Sequence, residues 1–208
     1  RFIFALYSNN MPHQLTIRNF QEGGYYHIFN RGNEKKKIFR SQEDYKKFLS
    51  MLKECLSLPL VSSHHRRKNF HGEILLIAFC LMPNHFHFCV QQKSKRVLAE
   101  FMQSLMVRYS IYFNTKYKKV GHLFQDKYKA RLITTDGDLL NITSYIHRNP
   151  SKSSPIIVYP YSSLQGYLAK WPSWYSPEPI FSLLKTTFGI PDDRMRSTYK
   201  KFVLQNSK

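Results

Sequence analysis

Apolar and polar residues along this chain change period repeatedly, and each change marks an element. Around residues 81–90 the period is that of a strand: Phe86, Phe88 and Val90 point one way, His85, His87 and Cys89 the other. Residues 74–80 form an unbroken apolar run, and Pro83-Asn84 between the two segments reads as a turn, so they form a hairpin with the histidines on its second strand. Residues 25–30 are a further strand candidate, ended by Arg31-Gly32-Asn33. Helical spacing then takes over. Ser41 caps a helix carrying Tyr45, Phe48, Leu49, Leu52 and Leu56 on one face, and Val97, Leu98, Phe101, Leu105, Tyr109, Tyr112 and Phe113 mark a second helix over 97–114. Residues 127–134 alternate Lys127, Lys129 and Arg131 against Tyr128, Ala130 and Leu132, a strand with one cationic face. A third helix over 135–147 turns Leu139, Ile142 and Ile146 inward and ends before Pro150.

The order strand, helix, strand, strand, helix, strand, helix predicts an α+β fold. Its first six elements suit a four-stranded antiparallel sheet with helices on one face, a ferredoxin-like split βαβ arrangement with the histidine strand central. On this reading the opposite sheet face is free, so that His85 and His87 face a ligand while Phe86 and Phe88 face the helices.

Composition sharpens the functional side. The chain has 208 residues, and 42% hydrophobic content is enough for a core. Thirty-two Lys and Arg against thirteen Asp and Glu give +19, which points to a polyanion, nucleic acid first and an anionic membrane second. No run of eighteen apolar residues exists to span a bilayer, and the cations are dispersed. Three cysteines, an odd number, suggest reduced thiols in a cytosolic protein. Residues 1–10 precede Met11 and read as a leader, 11–150 as the main domain, and 151–208 as a basic helical extension.

Two histidines two apart on a strand have Cα atoms roughly 6.5–7 Å apart, close enough to converge on one metal ion. Cys89 on the same face, with Cys80 across the turn, would make a structural zinc site of the same pair. In the third helix Tyr145 and Asn149 are four apart and share a face, while His147 points elsewhere. Pro150 biases Asn149 away from the helical region. Tyr109, Tyr112, Tyr117 and Tyr128 are rival nucleophiles, and Glu73, Asp126, Asp136 and Asp138 are the candidates for a carboxylate-metal nuclease. A non-catalytic single-stranded nucleic-acid binder on the same sheet is the other alternative.

Leu81-Met82-Pro83-Asn84-His85-Phe86-His87, Gly121-His122-Leu123-Phe124-Gln125 with Tyr128-Lys129-Ala130, and Tyr145-Ile146-His147-Arg148-Asn149-Pro150 resemble motifs of the single-tyrosine HUH endonuclease transposases. The opening segment Tyr26-His27-Ile28-Phe29-Asn30-Arg31-Gly32-Asn33 resembles their first strand, and the branch most similar is the REP-associated tyrosine transposases. The resemblance spans about residues 24–149. It implies that His85 and His87 hold a metal, Mg²⁺ or Mn²⁺ with zinc the alternative, that Tyr145 attacks DNA, and that Asn149 sits at the third ligand position. It implies a single-stranded DNA substrate with hairpin-forming repeats, a 5′-phosphotyrosine intermediate, a bacterial cytoplasmic, nucleoid-associated setting, and a monomer, with a homodimer the alternative. Arg31, Lys35, Lys36, Lys37, Arg66, Arg67, Lys127, Lys129 and Arg131 are the expected DNA contacts, with the extension after residue 150. The segment 151–155 departs from the pattern of small apolar and glycine residues that the resemblance leads one to expect there.

Overall fold

A computed structural model of the chain describes residues 20–59, 68–152 and 155–205. The elements are β1 Tyr25–Arg31, α1 Gln42–Leu56, β2 Ile74–Met82, β3 His85–Gln92, α2 Val97–Tyr117, β4 Lys129–Ile133 and α3 Asp136–Arg148, followed by α4 Leu164–Leu168, α5 Glu178–Thr186 and α6 Met195–Gln205. The first seven follow the predicted order. They build one antiparallel sheet in the order β2-β3-β1-β4, with β3 central.

Strand period decides what each face of β3 meets. Phe86, Phe88 and Val90 join Tyr26, Ile28, Phe48, Leu52, Phe101, Leu105 and Tyr109 in a core under α1 and α2. Asp44 locks those two helices together. Its carboxylate accepts the backbone N–H groups of Arg40 and Ser41 at the start of α1, and also Lys116 (2.8 Å) and Tyr117 (2.7 Å) from α2.

The opposite face is not free, as the sequence reading had it. Ile77, Cys80 and Cys89 pack there against Leu139, Ile142 and Ile146 of α3 and against residues of α4, α5 and α6. The reason lies in β2, whose sequence is apolar without alternation, the pattern of a strand buried on both faces. The segment from 155 onward also closes the outer edge of β2. Leu81 N–H donates to the Tyr161 carbonyl (2.9 Å), Ser163 N–H to Phe79 O (3.0 Å), and Ser176 N–H to Leu76 O (2.9 Å). That backbone pairing leaves little of β2 open to another strand.

At the other end of β2 and β3, the loop after β1 wraps the hairpin tip. Ile38 and Phe39 N–H donate to Pro83 O, and Gly32 N–H donates to Asn84 O. Glycine is required at position 32: a Cβ there would sit 2.1 Å from the carbonyl oxygen of Lys36. This tip and loop border the site.

Candidate active site

Five side chains from three elements meet on the α3 side of the sheet, near the hairpin tip. β3 supplies His85 and His87, α3 supplies Tyr145, the residue capping α3 is Asn149, and β1 supplies His27. Sequence reasoning missed the last of these. His27 stands opposite Cys89 and Phe29 opposite His87, so strand parity puts the His27 ring on the face of His85 and His87. The Tyr145 ring meets two imidazoles edge to face, His87 at 5.5 Å and His27 at 5.9 Å between centroids. His87 also lies beside Phe29, 5.7 Å away.

Two amides fix the protonation of His85. The Nδ2 of Asn84 donates to the Lys35 carbonyl (3.2 Å), which turns its Oδ1 toward His85 Nδ1 at 2.7 Å. The Nδ2 of Asn149 donates to the carbonyls of Tyr145 (3.0 Å) and Ile146 (3.5 Å), which turns its Oδ1 toward His85 Nε2 at 3.4 Å. Burial lowers the His85 pKa, partly offset by Asn149, so the ring is neutral near pH 7 and carries one proton. That proton belongs on Nδ1, with the shorter contact. The bare Nε2 then faces a bare amide oxygen. Two acceptors facing each other are a donor set for a cation.

Asn149 corrects the expectation from Pro150. It keeps helical angles (φ −50°, ψ −37°), its backbone N–H bonds Ile146 O, and the chain runs on as a tight turn over Asn149–Lys152. The side-chain bonds back into α3 outweigh the steric bias of the following proline. Tyr145 and Asn149 therefore do share a face, and His147 points away from them into the second core, with Nδ1 2.8 Å from Tyr199 Oη and Nε2 2.8 Å from Ser163 Oγ.

The alternatives fare differently. Tyr109, Tyr112 and Tyr117 lie on α2, across the sheet from the histidines, with their hydroxyls on Ile38 O or Asp44; Tyr128 packs on the same core. Cys80 and Cys89 are fully buried, and burial pushes both thiols far up, so they are protonated core residues. Among the described residues no three His, Cys, Asp or Glu side chains are grouped to share a metal ion. Asp138 is paired with Arg131, Glu73 accepts from Ser94, and among the described residues no convergent carboxylate set is present.

Of the expected DNA contacts, Arg31 is exposed on the strand partner position of His85 and donates from Nε to Gln125 Oε1. Lys35, Lys36 and Lys37 are exposed in the loop around the hairpin tip, with Lys36 paired to Glu34 (2.6 Å). Lys127 and Lys129 are exposed, and Lys129 pairs with Phe29 on the site face. Arg131 departs from the expectation. Its guanidinium donates to Asp138 at 2.7 Å, its side chain is only 14% exposed, and it ties β4 to α3 instead of offering a free charge. Arg66 and Arg67 lie outside the described residues, as do residues 1–10. Lys118 and Lys119, at the end of α2, add to the cationic rim, and the positive potential of Lys119 reaches Glu34.

Tyr145 is not activated in advance. Burial raises its pKa, and Arg148 on the next turn pulls it back only in part. Burial likewise strips charge from the imidazoles. His27 is pulled down to about 3 by burial and then by Arg131, His147 to about 3 by burial, and His87 well below its ordinary value by burial with His27 and His85 adding. The unfolded rings take up protons near pH 6.5 while the folded ones stay neutral, so the unfolded state gains protons as pH falls and stability drops with it. Three such rings give a slope of up to about 4 kcal/mol per pH unit below pH 6. Urea midpoints are expected to hold down to about pH 7 and then fall steeply; an unchanged midpoint at pH 5 would show that the rings are charged in the fold.

Comparison with known proteins agrees with this fold. Residues 21–149 match the family described as transposase IS200-like. No curated protein sequence matches the chain. In structure it is similar to a REP-associated tyrosine transposase bound to a REP hairpin, at 13% identity and a TM-score of 0.53, over 80% of this chain and 92% of that one. It is more distantly similar to a candidate transposase from Deinococcus radiodurans (15% identity, TM-score 0.39, 59% of this chain and 87% of that one). A tRNA(His) guanylyltransferase from Saccharomyces cerevisiae gives 9% identity and a TM-score of 0.39 over 93% and 81%. No helix among the described residues is long and apolar enough to cross a membrane. The match covers the whole sheet, both helices of the first core and the tyrosine helix through Asn149, and on that basis the chain belongs to the IS200-like transposases.

Proposed function

We propose that this transposase cuts and rejoins single-stranded DNA at hairpin-forming repeats, with Tyr145 as the nucleophile and a 5′-phosphotyrosine as the intermediate. One observation carries the reading: a tyrosine edge-on to His87 beside His85 Nε2 and Asn149 Oδ1, which face each other at 3.4 Å. Cleavage forms a bond from the Tyr145 phenolic oxygen to phosphorus and breaks the bond from phosphorus to the 3′-oxygen. The phenolic proton leaves, and the 3′-oxygen ends as a hydroxyl, ready to attack in the reverse step. A divalent cation, Mg²⁺ or Mn²⁺, held by His85, His87 and Asn149, supplies charge stabilisation at the nonbridging phosphate oxygens.

The rest falls to the chain's own groups. Arg148 favours the phenolate of Tyr145 against the opposing effect of burial. Arg31, Lys129 and Lys127 hold the strand's phosphates beside the histidines, with Lys35, Lys36 and Lys37 along the rim. Phe29, half-exposed next to His87, offers a face on which a base can stack. The helix carrying Tyr145 packs on the sheet of its own chain, which supports an active site complete in a monomer. The hairpin bound to the structurally similar transposase supports the choice of substrate. A sheet-surface RNA binder would need the face that α3 covers.

The test is a labelled hairpin oligonucleotide incubated with the protein and Mn²⁺, then run on a denaturing gel. A covalent protein–DNA band that disappears with EDTA is expected. Binding without a covalent band, across several hairpins and both metals, would favour the non-catalytic binder.

A further inference from the structure

His27 is a buried imidazole beside the tyrosine that the proposed chemistry leaves unused. It is 1% exposed, its Nε2 lies 2.9 Å from His87 Nδ1 with the ring planes 20° apart, and its Nδ1 is buried without any hydrogen-bond partner. A buried polar atom left unpaired in a native fold calls for a reason.

One proton occupies the line between the two rings, and its owner decides what His87 can do. If His27 donates, His87 accepts at Nδ1 and carries its own proton on Nε2, the nitrogen a cation needs bare. If His87 donates from Nδ1, its Nε2 is a lone pair, and His27 must keep its proton on Nδ1, the atom with no acceptor. Nδ1 of His27 has no partner in either arrangement, as a bare nitrogen in the first and an N–H in the second, so the His27 end does not fix the choice and a cation that needs Nε2 of His87 bare decides it.

We infer that His27 is a positioning residue: it accepts the Nδ1–H of His87 and so presents the bare Nε2 of His87 to the divalent cation. The inference rests on the reading above, that His85, His87 and Asn149 form the cation site. A strand neighbour that fixes the tautomer of a ligand imidazole acts on metal affinity itself, independent of DNA.

The experiment measures Mn²⁺ binding to the full chain without DNA, by electron paramagnetic resonance, in wild type, His27→Phe, His27→Gln and His85→Ala. His27→Phe keeps a flat ring but has no acceptor, and its affinity is expected to fall about 10- to 100-fold. His27→Gln, whose amide oxygen can accept from His87 Nδ1, is expected to recover most of that loss. In Mg²⁺-saturated wild type, long-range ¹⁵N correlation spectra should place the protons of both His27 and His87 on Nδ1; this reading does not require any variant to fold. A proton on His87 Nε2 in the Mg²⁺ form overturns the inference. So does wild-type affinity in His27→Phe alongside lost binding in His85→Ala. Wild-type affinity in His85→Ala overturns the cation site itself, and the role of His27 with it.

Discussion

Tyr145→Phe is expected to abolish the covalent protein–DNA product while leaving hairpin binding within about twofold. The substitution removes one oxygen and keeps the ring that packs edge-on against His87 and His27, so the site around it should hold its shape. Removing a covalent nucleophile leaves only binding and electrostatics to act, and a loss of at least about 10³-fold in product is the expected scale. The pH dependence carries the same signature. Because burial raises the phenol and Arg148 pulls it down only in part, the phenolate is a minor species at pH 7. Adduct formation should therefore climb between about pH 7 and 9, and Arg148→Ala should slow it at every pH in that range by removing a positive charge that favours the phenolate. A band that survives Tyr145→Phe would move the chemistry elsewhere. It would not move it to Tyr109, Tyr112 or Tyr117, whose hydroxyls sit across the sheet in the first core and at its polar edge.

What was legible in the sequence was whatever depends on local geometry. The alternation of Phe86, Phe88 and Val90 with His85, His87 and Cys89 is a property of any strand, and the two cores divide along that line. The four-residue spacing of Tyr145 and Asn149 is likewise a property of any helix, and the amide bonds back to Tyr145 and Ile146 carry that helix through the residue before a proline. Strand parity also put Arg131 on the site face, but not the fact that Asp138, seven residues on, would claim its charge. His27 was harder, since its partner is 60 residues away and only the register of β1 against β3 joins them. A lone histidine between Tyr26 and Ile28 looks like strand packing until that register is known. The covered sheet face was different again. Its signal was present in the unbroken apolar run of β2, and the residues that meet it, including Ile180, Phe181, Leu184, Phe202 and Val203, repeat at helical spacing in the last fifty residues.

Deleting residues 155–208 is expected to destroy the cooperative fold, leaving no separable catalytic core. Leu164, Ile180, Phe181, Leu183, Leu184, Phe202 and Val203 are all buried against β2 and α3, with Tyr159, Tyr167 and Tyr199. At about 1.5–3 kcal/mol for each buried aliphatic or aromatic side chain, the removed packing exceeds the roughly 5–15 kcal/mol net stability of a whole domain. Ile77, Cys80, Ile142 and Ile146 would be left facing water, and the edge of β2 would lose its backbone pairing with Tyr161, Ser163 and Ser176. His147 would lose both of its partners, Tyr199 and Ser163, and being two residues from Tyr145 it would no longer hold that helix turn in place. Circular dichroism of the truncated chain should show no sharp thermal transition, and dye binding should report exposed apolar surface. Ser163→Ala is the graded version: it leaves His147 Nε2 and the Phe79 N–H short of a buried partner, at about 1–3 kcal/mol each. It should lower the melting temperature and slow adduct formation together, with excess Mn²⁺ restoring neither, because the defect lies in the seat of the tyrosine helix. A truncated chain that melts cooperatively and still forms the phosphotyrosine band would show instead that β1 to α3 hold the nucleophile unaided.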